Sequence, residues 1–256
     1  MAFIDTHTHL DDARYEHDLS AVIDRARAVG VQQMIVASIQ ASGWAKLQLL
    51  CQQFPQLLPA YGLHPMFMSQ HCRAHIAELH EWLIQHKTIA IGECGLDFYI
   101  PDHDKQEQQW LFEAQLELAS QFQLPVIIHA RKSVEQVINI LRRFPTVTGV
   151  LHSFSGSQQQ AERLIDMGLM LGFGGPVTYS RAHRLHALIK WLPLSSLLLE
   201  TDAPDQPDST HHGERNEPAY LPTIIKAICS LKGIAQTELE ATTTQNAQRL
   251  FKLPPI

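Results

Sequence analysis

The sequence predicts an α/β fold, a TIM (β/α)8 barrel, on three observations. Short runs rich in Val, Ile and Leu recur eight times along the chain. Each is followed by a stretch of helical period, the pattern of βαβ units and a parallel sheet. The length of 256 residues suits the few architectures that fill about 250 residues as one unit, the α/β barrel chief among them. No linker, low-complexity tract or composition break interrupts the chain, so residues 1–256 read as a single domain.

The first strand is Ala2 to Asp5, and the helix after it carries Leu19, Val22, Ile23, Ala26 and Val29 on one stripe. The second, third and fourth strands are Gln33 to Ala37, Leu57 to Tyr61 and Thr88 to Gly92. Leu111, Ala114, Leu118 and Phe122 then mark a second amphipathic outer helix. Pro125 opens the fifth strand, ending at Ile128, at a position where a missing N–H is tolerated. Ser133 stands where it can cap the helix that follows, and Ser157 does the same after the sixth strand, Val147 to Leu151. The seventh strand, Leu169 to Phe173, runs into Gly172-Phe173-Gly174-Gly175, read as a tight turn. The eighth, Leu197 to Thr201, leads to a long loop, Ala203 to Pro218, rich in Pro, Asp and His. Strand spacings of roughly 20 to 35 residues are what a βα repeat requires.

With 45% hydrophobic and 18% charged residues the chain is an ordinary globular one. A net charge of −6 excludes the broad basic field of a duplex-coating protein. Four cysteines without a C-x-x-C pair argue for a reducing cytoplasm over a disulfide framework or zinc ribbon. The N-terminus lacks the pattern of a signal peptide and no 18-residue apolar run occurs, so no membrane association is expected. G-x-S-x-G, G-x-G-x-x-G and the P-loop pattern are all missing, which removes the serine-hydrolase, dinucleotide and P-loop readings. The unusual figure is 15 His against 20 Lys plus Arg.

Set on the strands, the polar residues fall in a pattern. His7 and His9, His64, Glu93, His129, His152 and Asp202 lie just past the ends of six of the eight predicted strands, the second and seventh excepted. In α/β barrels that rim carries the active site. His7-Thr8-His9 puts two imidazoles on one side of an extended chain, where both reach one ion. Glu93 would be a buried, uncompensated charge unless a cation or an Arg met it. Its two oxygens can span two metals about 3.5–4 Å apart, which makes it the candidate bridge. His129 and His152 each end a hydrophobic strand, where a histidine satisfied by a backbone carbonyl is the plain alternative. Asp202, otherwise a turn cap, can serve as both ligand and proton acceptor beside an acidified water. His64 reads as a substrate or phosphate contact ahead of a metal ligand. Arg131 and Asp97 lie near the rim, and Arg215 offers a donor fork to phosphate from the last loop. The remaining histidines, His71, His75, His183, His186, His211 and His212 among them, have no carboxylate partner in this reading and are placed on the surface.

These motifs together resemble the TatD family of metal-dependent hydrolases. They are Asp5-Thr6-His7-Thr8-His9-Leu10, Gly62-Leu63-His64-Pro65, Ile91-Gly92-Glu93-Cys94-Gly95-Leu96-Asp97, Leu124 to His129, His152-Ser153-Phe154-Ser155-Gly156, Glu200-Thr201-Asp202-Ala203-Pro204 and Arg215-Asn216-Glu217-Pro218. Gly174 to Tyr179 is similar to the YjjV-like branch, and the closing Asn246 to Phe251 also fits. The resemblance covers nearly the whole chain. It implies a TIM barrel of the amidohydrolase superfamily, with a one- or two-metal centre and Mg-dependent deoxyribonuclease activity, often 3′ to 5′ on single strands. It implies further that His7, His9, Glu93 and Asp202 hold one metal, that Glu93, His129 and His152 hold the second, and that His64 lies near the scissile phosphate. Two departures bear on substrate contacts. Met66 follows Gly-x-His-Pro where many relatives carry His, and Phe98-Tyr99-Ile100-Pro101-Asp102 lacks the basic residue often found after the Asp.

The expected protein is a monomeric hydrolase with two divalent ions (Mg, Mn or Zn), in which Asp202 and Glu93 do the chemistry on a nucleic-acid end or short oligonucleotide. His-plus-carboxylate ligands favour Zn, Mn, Fe or Ni by affinity, whereas the resemblance points to Mg. The alternatives are the same centre acting on an ester or amide, such as an aminoacyl-tRNA linkage or small cyclic amide, and a metal-binding scaffold with little turnover.

Overall fold

The computed structural model describes residues 2–101 and 104–256. Asp102, named above for the departure at Phe98 to Asp102, lies outside the described residues. Strands and helices alternate as β1 Phe3–Thr8, α1 Leu19–Ala28, β2 Val31–Ala37, α2 Trp44–Gln53, β3 Leu57–Tyr61, α3 Ala74–Gln85, β4 Ala90–Asp97, α4 Lys105–Phe122, β5 Val126–Arg131, α5 Val134–Leu141, β6 Gly149–Leu151, α6 Gln158–Asp166, β7 Leu169–Phe173, α7 His183–Trp191 and β8 Leu197–Leu199; α8 Leu221–Lys232 and α9 Gln236–Phe251 follow. The sheet has the order β1-β2-β3-β4-β5-β6-β7-β8, its pairs run parallel, and a parallel bridge links Thr8 to Ala203 after β8. This is the (β/α)8 TIM-barrel fold that the sequence predicts.

Contacts group the chain into two compact units, Met1–Val36 with Ser153–Ser157 and Leu171–Ile256, and Ala37–His152 with Gln158–Met170. In the first, α1 buries Leu19, Val22, Ile23 and Ala26, while Val29 is exposed because the helix has ended at Ala28. Helix α9 packs Leu239, Ala247, Leu250 and Phe251 inward. In the second, β4 is buried at all eight positions, and α5 brings Val137, Ile138, Ile140 and Leu141 to its core. The buried face of α4 is Gln108, Leu111, Phe112, Gln115, Leu116, Leu118 and Ala119; Ala114 and Phe122 of the predicted stripe are only half-buried.

Three strands run past their predicted ends: β1 to Thr8, β4 to Asp97 and β5 to Arg131. His7, Glu93 and His129 therefore sit inside strands, not beyond them. The β4–β5 ladder continues through Gly95 opposite His129 and Asp97 opposite Arg131, because the His129 ring and the Asp97 carboxylate partner one another and polarity alone does not end pairing. Gly95 is required there: its φ is +133°, and a Cβ would stand 2.1 Å from the His129 carbonyl oxygen. Conversely β8 stops at Leu199, since the Thr201 N–H leaves the ladder for the Asp5 carboxylate. Gly172 and Phe173 belong to β7, and the turn is a short 3-10 helix, Gly175–Thr178. Ser133 stands at the N-cap of α5 but does not cap it; its hydroxyl donates to the Leu96 carbonyl at 2.6 Å.

Candidate metal centres

In the first unit the alternation of an extended chain separates the two halves of Asp5-Thr6-His7-Thr8-His9. Thr6 and Thr8 donate their hydroxyls to the carbonyls of Leu199 and Ile35, while Asp5, His7 and His9 share the other side. Backbone bonds from Asp202 N–H to the His7 carbonyl (3.0 Å) and from His9 N–H to the Ala203 carbonyl (2.7 Å) tie the motif to Asp202. His7 Nε2 then lies 3.2 Å from His9 Nε2 and 3.3 Å from Asp202 Oδ1, with His9 Nε2 at 3.6 Å from the same oxygen. Asp202 has a left-handed φ of 58°, and its Oδ2 accepts from the Gln206 amide.

Asp5 supports this arrangement from beneath. It is fully buried and accepts from the Thr201 hydroxyl (2.6 Å), the Thr201 N–H (3.0 Å) and the His7 N–H (3.3 Å). Burial pushes its carboxyl up to about 8 against the pull of those hydrogen bonds. In the sequence its one signal is a carboxylate that closes the apolar run Ala2 to Ile4.

In the second unit the centre is Glu93 Oε1. His64 Nε2 lies 2.9 Å away, His129 Nδ1 3.0 Å and His152 Nε2 2.8 Å. His129 Nδ1 is also 3.3 Å from His152 Nε2. One carboxylate oxygen has lone pairs for about two donors, so with three imidazole nitrogens gathered on it, the Glu93 oxygen and the nitrogens not donating to it could hold a cation. The His129 ring is oriented by Asp97, whose Oδ2 is 2.9 Å from Nε2 and whose Oδ1 accepts the Tyr99 N–H at 2.8 Å. That leaves Nδ1 as the nitrogen able to hold a cation, as in the carboxylate–histidine–metal relation. Burial lowers the His129 pKa, but the hydrogen bonds to Asp97 and Glu93 outweigh it and hold the ring above its ordinary value. Burial raises Asp97, and His129 and the Tyr99 N–H outweigh that in turn, keeping the carboxyl below its usual range.

His64, expected as a contact ahead of a metal ligand, lies with Glu93 and His129 in a group that could hold an ion. Its Nδ1 accepts the Met66 N–H at 3.0 Å, so the neutral ring carries its proton on Nε2 and donates to Glu93. In that tautomer it is a hydrogen-bond donor, not a ligand. Arg131 ends β5 with its guanidinium 3.8 Å above the Tyr99 ring. The Arg215 fork, expected to face phosphate, is bound bidentately to Asp18 at 2.8 and 2.6 Å, because Asp18 opens α1 beside the long loop. His211, expected without a carboxylate partner, has Asp208 Oδ2 2.8 Å from its Nδ1 and stacks on Tyr220.

Residues 4–252 match the model of the family described as TatD related DNase. The uncharacterized metal-dependent hydrolase YjjV of Escherichia coli K12 is 38% identical over 255 residues, covering 98% of each chain. The 3′-5′ ssDNA/RNA exonuclease TatD of Erwinia tasmaniensis is 35% identical over 261 residues, 97% of this chain and 99% of that one. The crystal structure of the E. coli YjjV protein superposes with a TM-score of 0.95 at 37% identity over 98% of both chains.

Proposed function

We propose that this chain, which belongs to the TatD-related DNase family, is a divalent-metal-dependent hydrolase that cleaves phosphodiester bonds at the end of a single-stranded DNA or short oligonucleotide. The observation that carries the metal is the convergence of His64, His129 and His152 on one oxygen of Glu93, a carboxylate that is 1% exposed and that burial without a cation would penalise heavily. His7, His9 and Asp202 offer a second donor set of imidazole nitrogens and a carboxylate oxygen, the chemistry that Mn, Zn or Mg accepts. Divalent ions there supply Lewis acidity and bring the pKa of water from 15.7 toward about 7.

The chain's own groups divide the rest of the work. In the first donor set Asp202 accepts a proton from water; in the second, Glu93, His129 and His152 would hold the positive charge, with the His64 Nε2–H donated to Glu93. Arg131 contacts the substrate. The relative named as an exonuclease supports the nucleic-acid reading, and four cysteines without a C-x-x-C pair agree with a reducing cytoplasm. No helix among the described residues is long and apolar enough to cross a membrane.

The test is release of nucleotides from 3′-labelled single-stranded DNA with Mg or Mn, wild type against Glu93→Ala. Metal-dependent release lost in Glu93→Ala is the expected result. A wild type that binds metal stoichiometrically and releases nothing overturns the nuclease reading and moves the substrate to an ester or amide.

A further inference from the structure

Within the second unit the ends of β4 and β5 carry a group that the metal chemistry does not use. Tyr99, 52% exposed, has the Arg131 guanidinium 3.8 Å and the Lys132 ammonium 4.6 Å from its ring centroid. Successive residues of a strand point to opposite faces, so adjacent Arg and Lys side chains do not ordinarily reach one ring. They do here because Lys132 leaves the strand in a left-handed conformation, φ 55°, which a non-glycine residue adopts only at a cost. The two like charges are thereby brought to one aromatic face, and among the described residues neither forms an ion pair. Asp97, opposite Arg131 across the β4–β5 ladder, is acted on by its charge but gives its hydrogen bonds to His129 and the Tyr99 N–H. A third cation, Lys105, lies 5.0 Å from the ring of the adjoining Phe98.

We infer that Tyr99, Arg131 and Lys132 form a phosphate clamp for single-stranded nucleic acid beside the Glu93 cluster, with the Tyr99 ring holding two cations where the strand's backbone phosphates pass. Two cations preassembled on a ring, with no carboxylate in ion-pair contact among the described residues, gain most from an anion of fixed spacing. The net charge of −6 means that affinity for a polyanion must be local. The clamp deepens the phosphodiesterase reading and rests on it for its place in catalysis, but its own binding is measured separately.

The experiment is fluorescence anisotropy of labelled octathymidylate with the chain of residues 1–256 in EDTA, where no hydrolysis interferes, across a salt series. Lys132→Gly removes the charge and relieves the left-handed backbone, so it folds. We expect its Kd, and that of Arg131→Gln, to rise about 10-fold each, and the slope of log affinity against log salt to fall by about 0.7 per cation lost. Tyr99→Phe should bind like wild type and Tyr99→Leu should not; Lys132→Arg should restore binding. The inference is overturned if wild type does not bind the probe, if Lys132→Gly and Arg131→Gln bind it as wild type does, or if Lys190→Ala on α7 weakens binding equally. Loss of binding in the clamp variants alongside a wild type that releases no nucleotide would keep the clamp and remove the nuclease.

Discussion

At His129 the two ring nitrogens are told apart by their partners, Nε2 by Asp97 and Nδ1 by Glu93. If that fixes the ligand atom, Asp97→Asn should lower metal affinity at the Glu93 cluster about 10- to 100-fold while circular dichroism stays unchanged; isothermal titration with Mn gives the answer, and unaltered affinity would mean that Asp97 orients nothing. At His64 the Met66 N–H makes the equivalent choice. His64→Ala should keep the ion count and lower turnover of single-stranded DNA about 10- to 100-fold, the scale for losing a partner that holds a metal-binding carboxylate; loss of an ion by elemental analysis would make His64 a ligand instead. The ligand candidates were legible because they are His, Asp and Glu at the ends of apolar runs, and His-x-His has the period of an extended chain. Asp97 and Asp5 were harder to assign, because their work is done on a ring nitrogen or a backbone N–H that no sequence spacing reports.

Between elements, the same kind of concealed bond joins α4 to the strands. Gln108 accepts the Asp97 N–H and donates to the Asp97 carbonyl, at 2.9 and 3.0 Å, and Gln115 does the same to Leu63, at 2.8 and 3.1 Å. Two glutamines seven residues apart share one helix face and hold the segments that present Asp97 and His64. A stripe drawn through apolar residues alone passes over them, which is why the predicted face of α4 was rotated. Gln115→Leu leaves a buried N–H and C=O unpaired and should cost about 1–3 kcal/mol, read as a lower urea midpoint at constant m-value. The loop 203–218 is secured differently, by Arg215 on Asp18 and Arg25 on Glu217. The hydrogen bond from Arg215 holds Asp18 below its ordinary 3.8, with Arg25 adding to it. Ionised Asp18 is thus favoured in the folded state, so its stabilisation is complete above about pH 4 and disappears as pH falls through the lowered folded pKa. Asp18→Asn should destabilise at pH 7 and match wild type near pH 2, as judged by melting temperatures; an equal deficit at both pH values would show that the pairing contributes no charge.

For the molecule as a whole, the sheet order and the Thr8–Ala203 bridge follow from eight apolar runs, since the period of the repeat depends only on burying strands. Strand lengths did not follow, because His7, Glu93 and His129 are polar residues placed inside strands, a choice that favours the donor sets over burial. Such a molecule is less stable empty than loaded. A ligand at 100 times its Kd stabilises by about 2.7 kcal/mol, and for a chain of this size each kcal/mol moves the midpoint by about 2–4 °C. Mn in that excess should therefore raise the melting temperature by about 5–10 °C for each ion bound, and EDTA should reverse the rise. His9→Ala combined with Glu93→Ala, one substitution in each donor set, should abolish it, leaving a melt that Mn does not move. If residues 1–256 are one domain, calorimetry in EDTA should show a single transition whose van't Hoff and calorimetric enthalpies agree. Two transitions, only one of them shifted by Mn, would instead divide the chain into separately melting parts and assign the bound ion to one of them.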